Sequence, residues 1–128
     1  MNATADTDLI ELDLDSHHDA AGLGGTVAGR RQGRWTFLHA HGGLHRVADF
    51  VNGVLDGVYR TWFANGTAET AGAFRQGRPH GRWVEWHASG ALACQAEYTD
   101  GVPSGIWKRW NAAGRLIERT CYRDGLAA

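Results

Sequence analysis

Histidine is the residue type in this chain with the most obvious capacity for site chemistry, because neutral imidazole is a common protein ligand for metals. Three histidines fall close together as His39, His41 and His45. His39 and His41 have the spacing of side chains on one face of a strand, so both could ligate one metal ion. However, His41 falls in a glycine turn, and of the three only His39 has a counterpart, His87, later in the chain. The pattern therefore indicates a half-exposed polar position on a sheet.

Catalytic chemistry would need a nucleophile, a base and an orienting group brought together. The chain has no G-x-S-x-G, HExxH or C-x-x-C motif and no phosphate-cradling loop. Glu85 and Glu97 do not form a credible acid pair, because repeat-equivalent positions carry Arg, Thr or Ala. The run His17-His18-Asp19 has the composition of a polar turn. We therefore expect no enzyme, no cofactor and no metal.

A repeat of 24 residues supplies the elements that would position any other kind of site. The stretch Gly81-Arg82-Trp83-Val84-Glu85-Trp86 recurs 24 residues later as Gly105-Ile106-Trp107-Lys108-Arg109-Trp110. Weaker copies begin at Gly33 and Gly57 in the same register. Self-similarity at a fixed period of this length is the signature of a repeat protein. It predicts four copies: 33–56, 57–80, 81–104 and 105–128.

Each copy contains two aromatic or branched runs separated by a short glycine turn, such as Ala88-Ser89-Gly90. A second turn, such as Asp100-Gly101, separates one copy from the next. Runs bounded in this way are typical of antiparallel hairpins. Pro79 and Pro103 fit the turns between copies better than a central strand. The expected fold is all-β: tandem 24-residue β-hairpin repeats of eight to ten short strands, forming an elongated, twisted antiparallel meander sheet.

Three files of side chains run through the copies at constant offsets. Offsets two and five differ by three, so a regular strand would place the first two files on opposite faces. Either both faces are partly apolar, or a bulge in each copy brings the files together. An exposed file would be a binding surface. The files are Trp35, Tyr59, Trp83 and Trp107; Leu38, Trp62, Trp86 and Trp110; and Phe50, Phe74, Tyr98 and Tyr122.

The N-terminal part is acidic, whereas the repeats are mildly basic. Residues 1–29 carry six acids and no Lys or Arg, and residues 30–128 carry thirteen Lys and Arg against eight acids. We expect a disordered start at 1–7 and a degenerate acidic capping repeat at 8–32, whose first strand alternates from Asp8 to Asp15. The acidic side chains would discourage edge-to-edge pairing, or alternatively face a basic partner.

Composition excludes several broad classes. The chain shows no secretory signal and no apolar run long enough to span a bilayer, so a cytoplasmic location is expected. Cys94 and Cys121 lie at odd and even offsets and are expected to be reduced thiols. Aromatic residues interleaved with arginines could bind nucleic acid, but packing between repeats already explains the aromatic residues. The basic residues are too widely spread along the chain to form a membrane-binding patch.

The pattern G-x-W-x-x-W-x-x-x-G-x-L, followed by Y-x-x-G-x-x-x-G, resembles the MORN-repeat variant of bacterial antitoxin or immunity components, the YwqK-like group. The copies at Gly81 and Gly105 carry it best. The copy at Gly57 departs by Tyr59 and Ala68, and the copy at Gly33 by Phe37 and Leu38. The resemblance implies repeated hairpins in a curved sheet and neutralisation of a toxin by binding. It implies no catalytic residues.

The sequence therefore predicts a non-enzymatic protein-binding repeat scaffold, most concretely an antitoxin or immunity protein whose partner is a toxin. The alternative is a structural or assembly repeat protein, with nucleic acid or a membrane surface as lesser partners. Tryptophan and arginine dominate interface hot spots, which selects the candidate contacts. These are Trp62, Trp86, Trp110, Arg60, Lys108 and Arg109, of which Arg109 is expected to face the other side from the tryptophans.

Overall fold

The computed structural model describes residues 22–127. Within that range the protein is all-β, and its strands form one open antiparallel sheet. The fold class predicted from the repeat is therefore confirmed. The strands are β1 (Leu23–Val27), β2 (Arg30–Leu38), β3 (Leu44–Val51), β4 (Val54–Trp62), β5 (Ala68–Arg75), β6 (Arg78–Pro79), β7 (Gly81–Trp86), β8 (Leu92–Thr99), β9 (Val102–Pro103), β10 (Gly105–Trp110), β11 (Leu116–Arg123) and β12 (Leu126–Ala127).

The sheet is a meander of consecutive hairpins. Its order follows the chain from β1 to β12, except that the two-residue strands β6 and β9 pair only with β5 and β8. The structure has twelve strands in its described part, more than the eight to ten expected. The difference arises because two of the expected strands are each divided by one residue that belongs to neither strand. His80 separates β6 from β7, and Ser104 separates β9 from β10.

The turns between copies contain two central residues, both with positive φ. Gln76 and Gly77 have φ of 52° and 83°, and Asp100 and Gly101 repeat this geometry at 49° and 86°. Such turns match the right-handed twist of the flanking strands. Immediately after them, Pro79 pairs with Phe74 within β6, although the sequence suggested a turn there. Proline is tolerated because β6 pairs on one side only, so no second ladder requires its missing N–H.

A β-bulge occurs at the same offset in all four copies. The pairing register shifts after Phe37, Thr61, Glu85 and Arg109. The extra residue lies on the second strand of each hairpin, so the first strand keeps its regular alternation. The extra residues are His45, Glu69, Ala93 and Ile117.

One face of the sheet carries packed aromatic rings in all four copies, which we call the ladder face. The Trp83 ring centroid lies 5.8 Å from that of Tyr59 and 5.2 Å from that of Phe74. Tyr98 lies 5.1 Å from Trp107 in the next copy. Such pairs are worth about 0.5–1.5 kcal/mol beyond the area they bury. The ladder comprises Trp35, Phe50, Tyr59, Phe74, Trp83, Tyr98, Trp107 and Tyr122.

The most buried part of this face lies in the first copy. Trp35, Phe37 and Phe50 are buried around Ala48. The Arg46 guanidinium lies 4.4 Å from the centroid of the Phe37 ring, and Arg31 lies 4.4 Å from that of Trp35. Cations over aromatic faces are stabilised by the ring quadrupole, which helps two arginines to be buried among apolar side chains.

The remaining tryptophans face away from the ladder. Alternation along β4, β7 and β10 places Trp62, Trp86 and Trp110 on the opposite face. The bulges therefore exist, but they do not bring the two aromatic files together, and both faces carry aromatic side chains. The predicted disordered start, the strand from Asp8 to Asp15 and the run His17-His18-Asp19 lie outside the described residues.

Candidate functional site

The six tryptophans fall into two sets that differ in the hydrogen bonding of their indoles. On the ladder face each indole N–H donates to a backbone carbonyl ten residues earlier: Trp35 to Gly25 at 2.8 Å, Trp83 to Ala73 at 3.1 Å and Trp107 to Glu97 at 3.0 Å. These rings are thus tied to the previous hairpin through their only donor. Trp35, Trp83 and Trp107 are therefore residues that pack one hairpin against the next.

The second set, Trp62, Trp86 and Trp110, has indole N–H groups with no acceptor among residues 22–127. Each of these side chains is half-buried. We call their side of the sheet the donor face. Because an indole nitrogen can only donate, this face presents a repeated row of donors beside apolar rings. Such a surface is complementary to carbonyl or carboxylate oxygens.

Two of the sequence-predicted cations, Arg60 and Lys108, lie on the donor face. The Arg60 guanidinium is 5.9 Å from the centroid of the Trp62 ring, two residues further along β4. Lys108 and Trp110 have the same spacing on β10. Neither cation forms an ion pair within the described part of the chain. No carboxylate of residues 22–127 lies within ion-pair distance of either cation.

The two cations belong to one row of directly paired residues that crosses the sheet. Arg60 pairs with Ala71, which pairs with Val84, and Val84 pairs with Gln95, which pairs with Lys108. We call this set the cross-strand row. The residues between the two cations are uncharged and of small or moderate size. Since neighbouring strands lie about 4.8 Å apart, the four steps separate the cations by about 19 Å.

Histidines of the alternate copies hold the backbone of two donor-face tryptophans. His39 Nε2 donates to the carbonyl oxygen of Trp62 at 2.9 Å, and His87 Nε2 donates to that of Trp110 at 2.9 Å. Each bond crosses from one copy to the next. The backbone of both tryptophans is therefore held by a histidine side chain as well as by the hydrogen bonds between strands.

Arg109, the sixth candidate, is not brought together with the other five. It lies on the ladder face, where its Nε donates to Glu118 Oε1 at 2.8 Å. The hydrogen bond that Arg109 donates to Glu118, together with the negative charge of that carboxylate, raises the pKa of Arg109 above the ordinary arginine value. Glu118 neutralises this guanidinium, whereas Arg60 and Lys108 form no ion pair among the described residues.

A bidentate ion pair lies within the first copy on the donor face, and a backbone N–H of the second copy donates to its carboxylate. Arg34 Nε donates to Asp49 Oδ1 at 2.9 Å and Arg34 Nη2 to Oδ2 at 3.2 Å, while the Val58 N–H donates to Oδ2 at 3.0 Å. The Arg34 hydrogen bond lowers the pKa of Asp49 below the usual carboxyl value, partial desolvation opposes this, and the Val58 N–H adds to the lowering. The Asp49 carboxylate therefore serves to hold Arg34 and the backbone of β4 in place.

Among the remaining candidates for chemistry, the three neighbouring histidines lie together as stacked rings. The rings of His39 and His45 stack with centroids 4.2 Å apart, and His41 stacks on His39 at 5.2 Å. Within residues 22–127, no group of three or more His, Cys, Asp or Glu side chains is arranged to hold a metal ion. Cys94 and Cys121 are free thiols, and burial raises the pKa of Cys94. The part of the chain that the structure describes has no helix that could cross a membrane.

Sequence reasoning missed an alternation between copies. Val58 and Ile106, 37% and 45% exposed, each precede a donor-face cation by two residues on the same strand. Thus the second and fourth copies carry an aliphatic residue, a cation and a tryptophan side by side on that face. The supporting histidines come from the first and third copies. A period of 48 residues, twice the repeat, is the signal that would have revealed these residues.

Comparisons with known proteins do not identify a family or a function for this chain. No family model matches the chain, and a search of curated proteins finds no match. The likeness to the MORN-repeat group therefore stays a prediction from the repeat motif.

Proposed function

We propose that this protein is a non-enzymatic scaffold that binds another protein through the donor face. The observation that carries the proposal is the division of the tryptophans into two sets. Indoles that serve packing have their N–H groups satisfied by backbone carbonyls, whereas Trp62, Trp86 and Trp110 leave theirs available. A partner that supplies acceptors and covers the rings would complete this surface.

The residue types and their order on the face support this proposal. Tryptophan and arginine are the side chains that most often dominate interface energetics, especially where a neighbouring ring orients them. Arg60 already lies over Trp62, and histidine bonds fix the backbone of Trp62 and Trp110. A site arranged before binding loses less conformational entropy when the partner docks.

The most concrete form of the proposal is a cytoplasmic antitoxin or immunity protein that blocks a toxin by covering its active site or groove. This part rests on the resemblance to the YwqK-like MORN-repeat group and on the donor face as the surface that would make the contact. A nuclease, protease or other toxin is the expected partner.

Affinity capture from the source organism tests the proposal. The tagged full chain should retain one stoichiometric protein at moderate and high salt, whereas a Trp62→Ala, Trp110→Ala double variant should retain much less while remaining folded by circular dichroism. A matched control, Arg78→Gln with Arg115→Gln, removes two charges outside the donor-face set and should retain the partner. Recovery of nucleic acid or lipid alone, lost steeply with salt, would overturn the proposal. Self-association alone would favour the assembly alternative.

A further inference from the structure

We infer that the donor face recognises an extended acidic segment of the partner, laid across the strands with one carboxylate at Arg60 and another at Lys108. The inference rests on the proposed function and specifies the chemistry of the partner. It comes from three features of the face: the position of its charges, its hydrogen-bonding capacity and its shape.

Charge is the first feature. Arg60 and Lys108 stand at the two ends of the cross-strand row without an acidic partner in the described residues. At the Lys108 end the positive charge is reinforced, because Arg119 is its direct cross-strand neighbour on β11. Like charges directly opposite each other destabilise a sheet. An incoming carboxylate would relieve this repulsion, so the C-terminal end of the row is complementary to an anion.

Hydrogen-bonding capacity is the second feature. The row of Trp62, Trp86 and Trp110 runs beside the cross-strand row, two residues along each strand. Their indoles present three donors that have no acceptor within residues 22–127. An extended peptide has unpaired backbone carbonyls along its length that could accept from these donors. A folded helix would have satisfied those carbonyls internally.

Shape is the third feature, and it sets the spacing of the acidic residues. Ala71, Val84 and Gln95 leave a floor without large or charged side chains between the two cations. A groove beside this floor is lined by Arg82, Gln95, Glu97, Ile106 and Lys108. Extended chain rises about 3.3 Å per residue and polyproline II about 3.1 Å, so a span of about 19 Å requires about six residues. The partner segment should therefore carry its two acidic residues about six positions apart.

The same features disfavour nucleic acid as the occupant. A nucleic acid presents closely spaced phosphates along its whole length. Between the two cations it would meet the uncharged floor, where its intervening phosphates would find no positive charge. Two separated cations with three indole donors suit two carboxylates on a peptide better than a continuous phosphate backbone.

Short fluorescein-labelled peptides provide a direct test with the full chain. One peptide carries two Glu six positions apart in a background of Gln, Leu and Pro, a second has the same composition with the two Glu three positions apart, and a third replaces both by Gln. Fluorescence anisotropy should show the first binding about tenfold more tightly than either of the others. Arg60→Gln with Lys108→Gln should remove this preference, and Arg78→Gln with Arg115→Gln should leave it.

Nuclear magnetic resonance of the indole groups locates the peptide. On titration, the indole N–H signals of Trp62, Trp86 and Trp110 should shift, and those of Trp35, Trp83 and Trp107 should stay in place because they are bonded within the fold. Equal binding of the three peptides, or signal changes confined to the ladder face, would overturn the inference. So would tighter binding of single-stranded DNA or of phosphatidylserine vesicles that depends on Arg60 and Lys108.

The outcome is separable from that of the proposed function. If affinity capture yields a protein partner whose retention is unchanged by Arg60→Gln with Lys108→Gln, the scaffold proposal stands and the acidic-segment inference fails. If no protein is retained by the unaltered chain, the scaffold proposal itself fails.

Discussion

Gly72 illustrates how single positions on the ladder face are specified by the ring above them. It lies on β5, and a Cβ at this position would be only 2.2 Å from Cδ2 of the Trp83 indole. The ring belongs to the next copy, so the glycine allows two hairpins to pack closely. An added methyl group would force the indole or the strand to move, and both are held by hydrogen bonds.

Gly72→Ala should therefore lower the free energy of unfolding by about 1–3 kcal/mol, the usual cost of overpacking. Urea unfolding followed by circular dichroism measures it. Gly25→Ala is the matched control, because its nearest contact would be an ordinary 3.8 Å from the Gln32 carbonyl oxygen. A Gly72→Ala protein as stable as the control variant would show that Trp83 does not need the space.

Asp49 carries a pH-dependent part of the stability. Its pKa is lowered in the folded state, chiefly by the hydrogen bond from Arg34, so the carboxylate favours folding at pH values above its ordinary pKa of about 3.9. This contribution is lost as the pH falls through the lowered folded-state pKa. Asp49→Asn should therefore destabilise the protein at pH 7 and have a progressively smaller effect below about pH 4.

Urea unfolding of both proteins at a series of pH values measures this difference. Asp124→Asn serves as the control, because Asp124 lies exposed in a turn and makes no ion pair among the described residues. It should show no comparable pH-dependent difference from the unaltered chain. A constant effect of Asp49→Asn across the series would mean that the ion pair is not the cause.

At the level of the hairpin, the third and fourth copies each place their two tryptophans on opposite faces of the sheet. Trp83 contacts Tyr59, Phe74 and Tyr98, and its indole N–H is bonded to the preceding hairpin. Trp86, three residues along the same strand, has no ring contact among the described residues. The hairpin is thus packed against its neighbours on one side and presents an indole without a ring contact on the other.

Trp83→Ala should cost roughly 3 kcal/mol of unfolding free energy, the lower end for large aromatic residues, because Trp83 is half-buried and the change removes three ring contacts. Trp86→Ala should cost about 1 kcal/mol or less while weakening partner binding. Thermal unfolding together with affinity capture of the partner distinguishes the two variants. The reverse result, with Trp86 essential for folding and Trp83 for binding, would exchange the roles of the two faces.

At the scale of the whole molecule, the sheet is close to one-dimensional. The main contacts join strands that are adjacent in the sheet order. In such arrays stability is approximately a sum of terms for each repeat and each interface between neighbours. A local defect should consequently open the part of the sheet around it before the rest unfolds.

Hydrogen–deuterium exchange of Gly72→Ala tests this organisation. Amide protection should fall by about tenfold in the segment 57–104, which contains the altered interface, and by much less in β2 and β3. A uniform loss of protection across residues 22–127 would instead indicate a single cooperative unit.

The candidate site was only partly predictable from the sequence. The file of Trp62, Trp86 and Trp110 follows from the repeat, and strand alternation correctly separates Arg109 from Arg60 and Lys108. Val58 and Ile106 were missed because they do not recur in every copy. The bonds from His39 and His87 were missed because backbone carbonyls leave no mark in the sequence.

The sequence by itself determined the fold class, because recurring aromatic runs between glycine turns satisfy their backbone hydrogen bonds most simply as consecutive hairpins. Only the tertiary structure decided how the two faces differ. The bulge residues His45, Glu69, Ala93 and Ile117 share no side-chain chemistry, so the sequence does not mark the bulges. Whether an indole serves packing or remains available depends on where strand pairing places a carbonyl oxygen, and that position is set by the assembled sheet.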